Sequence, residues 1–91
     1  MKKETFMLSE QQVETAVIAI EEMAELIQVL SKAIRFGYTP GDTGKRLVQE
    51  MGDAKLLFDL LQKTFDINDE ELHIAMANKK SKLMAWSSLY E

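Results

Sequence analysis

Carboxylates interrupt two runs of sequence that are otherwise strongly apolar. Glu21, Glu22 and Glu25 fall within AVIAIEEMAELIQVL (16–30), and Glu50 and Asp53 within LVQEMGDAKLLFDLL (47–61). Glu22 and Glu25 are spaced i,i+3, as are Glu50 and Asp53, so on helices each pair projects from one side. Burying ionised carboxylates without partners is costly, and four together also repel one another. Basic side chains can relieve that cost by pairing with the acids, or a divalent cation can bind among them. Acidic oxygen donors with no cysteine and no nearby histidine suit a hard ion, Mg²⁺ or Mn²⁺, better than zinc. An EExxE on its own is most often a solvated helix face. The apolar setting of both pairs argues for the other reading.

The elements that must position these acids are three long helices. Ser9 with Gln12 forms a capping-box pattern that opens a helix near residue 10. It runs to Phe36, where Gly37 supplies a left-handed C-terminal residue and Pro40 blocks continuation. GYTPGD (37–42) is the clearest loop. A second helix starts at Asp42 or Thr43 and reaches about Phe65. Asn68 caps a third, with Glu71 at the capping-box position and acids at Asp69 to Glu71 suited to the helix dipole; it extends to about Ser88. With no alternating strand pattern, the predicted fold is all-α: one domain over residues 1–91, an antiparallel bundle of three long helices completed by oligomerisation.

Helical periodicity assigns the faces. On the first helix Val13, Ala16, Ile20, Ala24, Ile27 and Ile34 form a broad apolar side. Ile18, Val29 and Ala33 form a second strip that contains Glu22, with Glu25 close by. A helix apolar on nearly all sides is an interior or interface helix, so Glu22 is expected to be largely surrounded by protein. On the second helix Leu47, Met51, Ala54, Phe58, Leu61 and Phe65 line one face. Glu50 projects between the directions of Leu57 and Leu61, and Asp53 between those of Leu57 and Leu60. Two antiparallel helices on a short loop would bring both acidic pairs together.

The third helix carries Leu72, Met76, Leu83, Trp86 and Tyr90 on its apolar side, with Lys79 in that sector and Asn78 and Lys82 on its flank. Lys79 and Lys82 either snorkel, covering apolar surface with their stems, or meet phosphate oxygens beside a metal. Glu70-x-x-His73 has the spacing of a di-iron carboxylate motif, but such a site needs two of these motifs and the chain has one histidine. His73 reads as a surface residue.

Composition narrows the function classes. Hydrophobic residues make up 46% and charged residues 29%, a globular balance. The net charge of −4 disfavours nonspecific nucleic-acid binding, although an acidic protein can bind phosphorylated small molecules through a metal ion. The absence of cysteine fits a reducing cytoplasm. The start MKKETFMLSEQQ is basic, but its apolar stretch is too short for a signal peptide, and no run is apolar enough to cross a bilayer.

Glu21-Glu22-Met23-Ala24-Glu25 followed on the next long helix by Glu50-Met51-Gly52-Asp53 resembles the signature of the MazG-like nucleoside triphosphate pyrophosphohydrolases, EExxE then ExxD. LIQVLSKAIRFG (26–37) and NKKSKLMAW (78–86) are similar to segments of the short, phage-type members. The resemblance covers about Val13 to Trp86. It implies an all-α enzyme that cleaves (d)NTP to (d)NMP and pyrophosphate with Mg²⁺ and works as a dimer or tetramer. By motif position the metal ligands would be Glu22, Glu25, Glu50 and Asp53. Glu21, with Glu22, would position or activate the attacking water, and Lys32, Asn78, Lys79 and Lys82 would contact substrate. Two other readings compete: a non-catalytic helical oligomer whose acids and lysines form interhelical salt bridges, and a nucleotide-binding regulator without turnover.

Overall fold

The computed structural model describes residues 3–90, which form three helices: α1 (Glu10–Phe36), α2 (Thr43–Thr64) and α3 (Asp69–Trp86). The capping box forms as the sequence predicts. The Ser9 hydroxyl accepts from the Gln12 amide at 3.1 Å, and the Gln12 side chain accepts from the Ser9 amide at 2.9 Å. Gly37 ends α1 with φ 96° and ψ 170°, a positive-φ backbone that favours glycine, but extended in ψ and so outside the left-handed helical well. The connecting loop is short because Thr39 turns it: its carbonyl accepts from both the Asp42 and Gly44 amides at 3.0 Å. Gly44 lets this loop close onto α2, since a Cβ there would meet the Tyr38 hydroxyl at 2.7 Å.

The α2–α3 turn is built differently. Asp66 adopts a positive φ of 53°, and the Ile67 amide reaches back to the Gln62 carbonyl at 2.9 Å, closing the end of α2. Asn68 then caps α3, its side-chain oxygen accepting from the Glu70 amide at 2.8 Å and the Glu71 amide at 3.1 Å. α3 stops at Trp86, two residues before the expected end, where the Ser87 amide and hydroxyl both bond the Leu83 carbonyl.

α1 and α2 pack along their lengths as an antiparallel pair. Their register is marked at the open end by the Gln12 side-chain amide, which donates to the Thr64 carbonyl at 3.2 Å. The inward positions of α1 are Ala19, Glu22, Leu26, Val29 and Ala33, and those of α2 are Leu47, Glu50, Ala54, Leu57 and Leu61. Both rows alternate three- and four-residue steps, the spacing of a knobs-into-holes contact. Ala19, Val29, Ala54 and Leu57 form the buried core.

This pairing differs from the expected faces in two respects. On α1 the strip holding Glu22 packs inward, while the broader stripe of Val13, Ile20, Ile27 and Ile34 stays exposed and Ile18 lies outside the contact. On α2 the inward row takes in Glu50 and Leu57 and leaves Met51 and Phe58 about half exposed. Both helices are thus rotated to turn their acidic positions toward each other.

Bundle packing is confined to α1 and α2, and no residue of α3 is buried. Leu72, Met76, Leu83 and Trp86 share one side of α3, but Ile74 and Met84 lie off it, and that side does not pack along the α1–α2 pair. Leu72 and Met76 meet Phe58, Leu61 and Ile67 around an apolar recess of about 510 Å³ in the crook between α2 and α3. Among the described residues no helix is long and apolar enough to cross a membrane.

Candidate metal centre

The inward rotation of both helices sets Glu22 on α1 against Glu50 and Asp53 on α2. One carboxylate oxygen from each of these three residues lies within 4.8 Å of the others. Glu22 and Glu50 are half-buried between the helices, whereas Asp53 and Glu25 stand at the exposed rim. The Asp53 carboxylate approaches Glu22, and that of Glu25 approaches Glu50, within reach of a shared proton. Of the four ligands expected from the two i,i+3 pairs, Glu22, Glu50 and Asp53 converge, while Glu25 stands beside Glu50 and outside that group of three. Glu21 is exposed and lies outside the group of three that converge.

The electrostatics follow from this crowding. Removal from water, reinforced by the charges of Glu25, Asp53 and Glu50, raises the pKa of Glu22 above its ordinary value. Glu50 is also raised, chiefly by loss of water and then by hydrogen bonding with Glu25 and by the Glu25 and Asp53 charges. The Arg46 guanidinium, one turn earlier on α2, opposes that rise. Glu22 Oε2 and Glu50 Oε2 are each sealed from solvent with no hydrogen-bond partner. Converging carboxylates, two of which carry a buried and unpartnered oxygen, form a donor set that fits a hard divalent cation.

Salt bridges do not satisfy these acids. Among the described residues the one ion pair within 4.0 Å joins His73 to Asp69 on the exposed face of α3, at 3.9 Å. His73 is thus a surface residue, remote in role from any di-iron site. Lys79 lies over the Trp86 ring at 5.8 Å and Lys80 over the Tyr90 ring at 5.2 Å. Asn78, Lys79 and Lys82 are all exposed on α3, which does not pack along the α1–α2 pair. Within one chain they are not gathered around the acids.

Two other cations, one of them the expected Lys32, share a recess that none of these acids lines. Lys32 and Arg46 line a recess of about 190 Å³ at the loop end of the α1–α2 pair, with Val29, Asp42 and Thr43 also on its wall. The first turn of α2 opens into it, and the free amides of a helix N-terminus favour anions. Lys32 stands seven residues beyond Glu25, about 10 Å along α1. Arg46 is the site residue that sequence reasoning passes over. Its signal is its spacing, four residues before Glu50 and so on the same side of α2.

Compared with protein-family models, with characterised proteins and with solved structures, the chain matches none.

Proposed function

We propose that this protein is a divalent-metal-dependent nucleoside triphosphate pyrophosphohydrolase of the MazG-like kind, cleaving (d)NTP to (d)NMP and pyrophosphate. The observation that carries this reading is the convergence of Glu22, Glu50 and Asp53 with two buried, unpartnered oxygens and no cation paired to them. Within one chain no lysine or arginine pairs with these acids, so a salt-bridged structural oligomer would have to supply its cations from another copy, and dependence on a divalent metal separates it from the enzyme. A nucleotide-binding regulator would share the site, so turnover separates it from the enzyme.

Glu22, Glu25, Glu50 and Asp53 would hold Mg²⁺, with Mn²⁺ as an alternative. The bound ion would supply positive charge to phosphate oxygens and lower the pKa of water. Glu22 would orient the water or take its proton as the water oxygen bonds to the α-phosphorus. Glu21, at the rim beside it, would position that water from the solvent side. The P–O bond to the bridging oxygen then breaks and pyrophosphate leaves with the electron pair. Lys32 and Arg46 would receive the phosphate chain in the recess at the loop end of the α1–α2 pair. Asn78, Lys79 and Lys82 would reach substrate from the α3 of another copy, in the homo-oligomer that the resemblance implies.

Product analysis tests the reaction. A panel of ribo- and deoxyribonucleoside triphosphates incubated with Mg²⁺ and followed by phosphorus NMR should give monophosphate and pyrophosphate. Chelation should stop the reaction. Lys32→Met and Arg46→Met should each lower kcat/KM roughly ten-fold or more, the loss of one charge-assisted contact. Lys80→Met should leave it unchanged. Diphosphate and inorganic phosphate as products, or no turnover of any nucleotide, would overturn the proposal.

A further inference from the structure

The apolar stripe of α1 that faces away from α2 has an ordered pattern. Its positions are 13, 17, 20, 24, 27, 31 and 34, an uninterrupted alternation of four- and three-residue steps, as in a coiled-coil seam. Val13, Ile20, Ile27 and Ile34 form its large row, while Val17, Ala24 and Ser31 keep the other row small. In the isolated chain this seam is bare: Ile20 is 67% exposed, Ile27 66% and Ile34 86%. The whole chain exposes 7990 Å², against about 5,400 Å² expected for a folded monomer of its mass. The difference exceeds the roughly 800 Å² that each partner buries in an ordinary stable interface.

The residues beside the seam say what covers it. One flank reads Glu14, Glu21, Gln28, Arg35, acidic toward the start of the helix and basic at its end; the other reads Ala16, Met23, Leu30. Two parallel copies would set the charged flank of one against the apolar flank of the other. Two antiparallel copies set each flank against itself in reverse. Glu14 then meets the partner's Arg35, Glu21 meets the partner's Gln28, and the apolar flanks meet each other. The large row is equally self-complementary, pairing Val13 with the partner's Ile34 and Ile20 with the partner's Ile27. Ala24 falls at the crossing, where a small side chain lets two helices approach closely.

We infer that the outer stripe of α1 is a self-association surface, on which α1 of a second copy lies antiparallel about a two-fold axis near Ala24. The partner is this same chain, and the contact is isologous. The inference commits homo-oligomerisation to one face and one orientation. It does not depend on the catalytic reading: Glu22 lies on the opposite side of α1 and Glu25 well away from the stripe, and Glu21 is the one acid of that motif that borders it.

Sedimentation and cross-linking test it. The wild-type chain at about 50 µM should sediment as a dimer or larger assembly. Ile27→Glu, which places a charge at the buried seam of both copies, should weaken association by at least about 100-fold with helicity retained. Arg35→Glu should weaken it less, and adding Glu14→Arg should restore it. The chain has no cysteine, so a mixture of Val13→Cys and Ile34→Cys variants should form 13–34 disulfides on oxidation and few 13–13 links. A monomeric wild type would overturn the inference. So would assembly indifferent to both Ile27→Glu and Arg35→Glu, or cross-linking dominated by 13–13 pairs.

Discussion

Glu22→Gln and Glu50→Gln are each expected to lower nucleotide hydrolysis by at least about 100-fold while raising the melting temperature of the metal-free protein by a few degrees. The two effects have one origin. Each glutamate is held between the helices, short of water and beside other carboxylates, so its charged form is disfavoured in the folded chain. The amide keeps the shape and removes the charge, which relieves the empty fold but deletes a ligand from the site. Asp59→Asn, on the exposed side of α2, should change neither quantity. Kinetics and thermal melts on the three variants decide the matter. Loss of activity with an equal loss of stability would make these acids structural, and unchanged activity would remove them from the site.

The second large effect is a pH dependence that a divalent cation reverses. Glu22 and Glu50 have raised pKa values in the folded state, so the native chain binds more protons than the unfolded chain once pH passes the ordinary carboxylate range. Stability then falls as pH rises through the raised values, because folding must suppress charges that the unfolded chain carries freely. In chelator, the melting temperature should decline as pH rises above the ordinary carboxylate range toward neutrality. Cation binding requires the deprotonated acids, so stabilisation by Mg²⁺ should grow over the same interval. At a Mg²⁺ concentration one hundred times its dissociation constant, linkage for a chain of this size gives a shift on the order of 10 °C. A metal-free melting temperature that rises over that interval, or one that ignores millimolar Mg²⁺, would contradict this account.

The helices were legible because their ends are written in local chemistry. Ser9 with Gln12, Gly37 and Asn68 act within a few residues of themselves, and the observed boundaries follow them closely. The juxtaposition of the acids was also legible, since i,i+3 spacing on two helices joined by a short loop leaves few alternatives. What periodicity did not determine was which of two stripes on α1 packs on α2. Hydrophobicity alone favours Val13, Ile20, Ile27 and Ile34, yet the strip with Ala19, Glu22 and Val29 is the one inside. Small residues at Ala19 and Ala54 allow the helices to close there, and this depends on the pair rather than on either helix alone. α3 was harder still: its side chains imply a face, but a docking surface for it within one chain cannot be read from its own residues. Arg46 escaped notice because its significance arises from Glu50 and Lys32, the latter on another helix.

The convergence of α1 and α2 carboxylates as a divalent-cation site is tested most directly by calorimetric titration of the metal-free protein with Mn²⁺ at neutral pH. The wild-type chain should bind Mn²⁺ saturably, with proton release, and Glu22→Gln and Glu50→Gln should each weaken binding at least about ten-fold while Asp59→Asn leaves it unchanged. Absence of saturable binding, or equal affinity in all four proteins, would contradict the account.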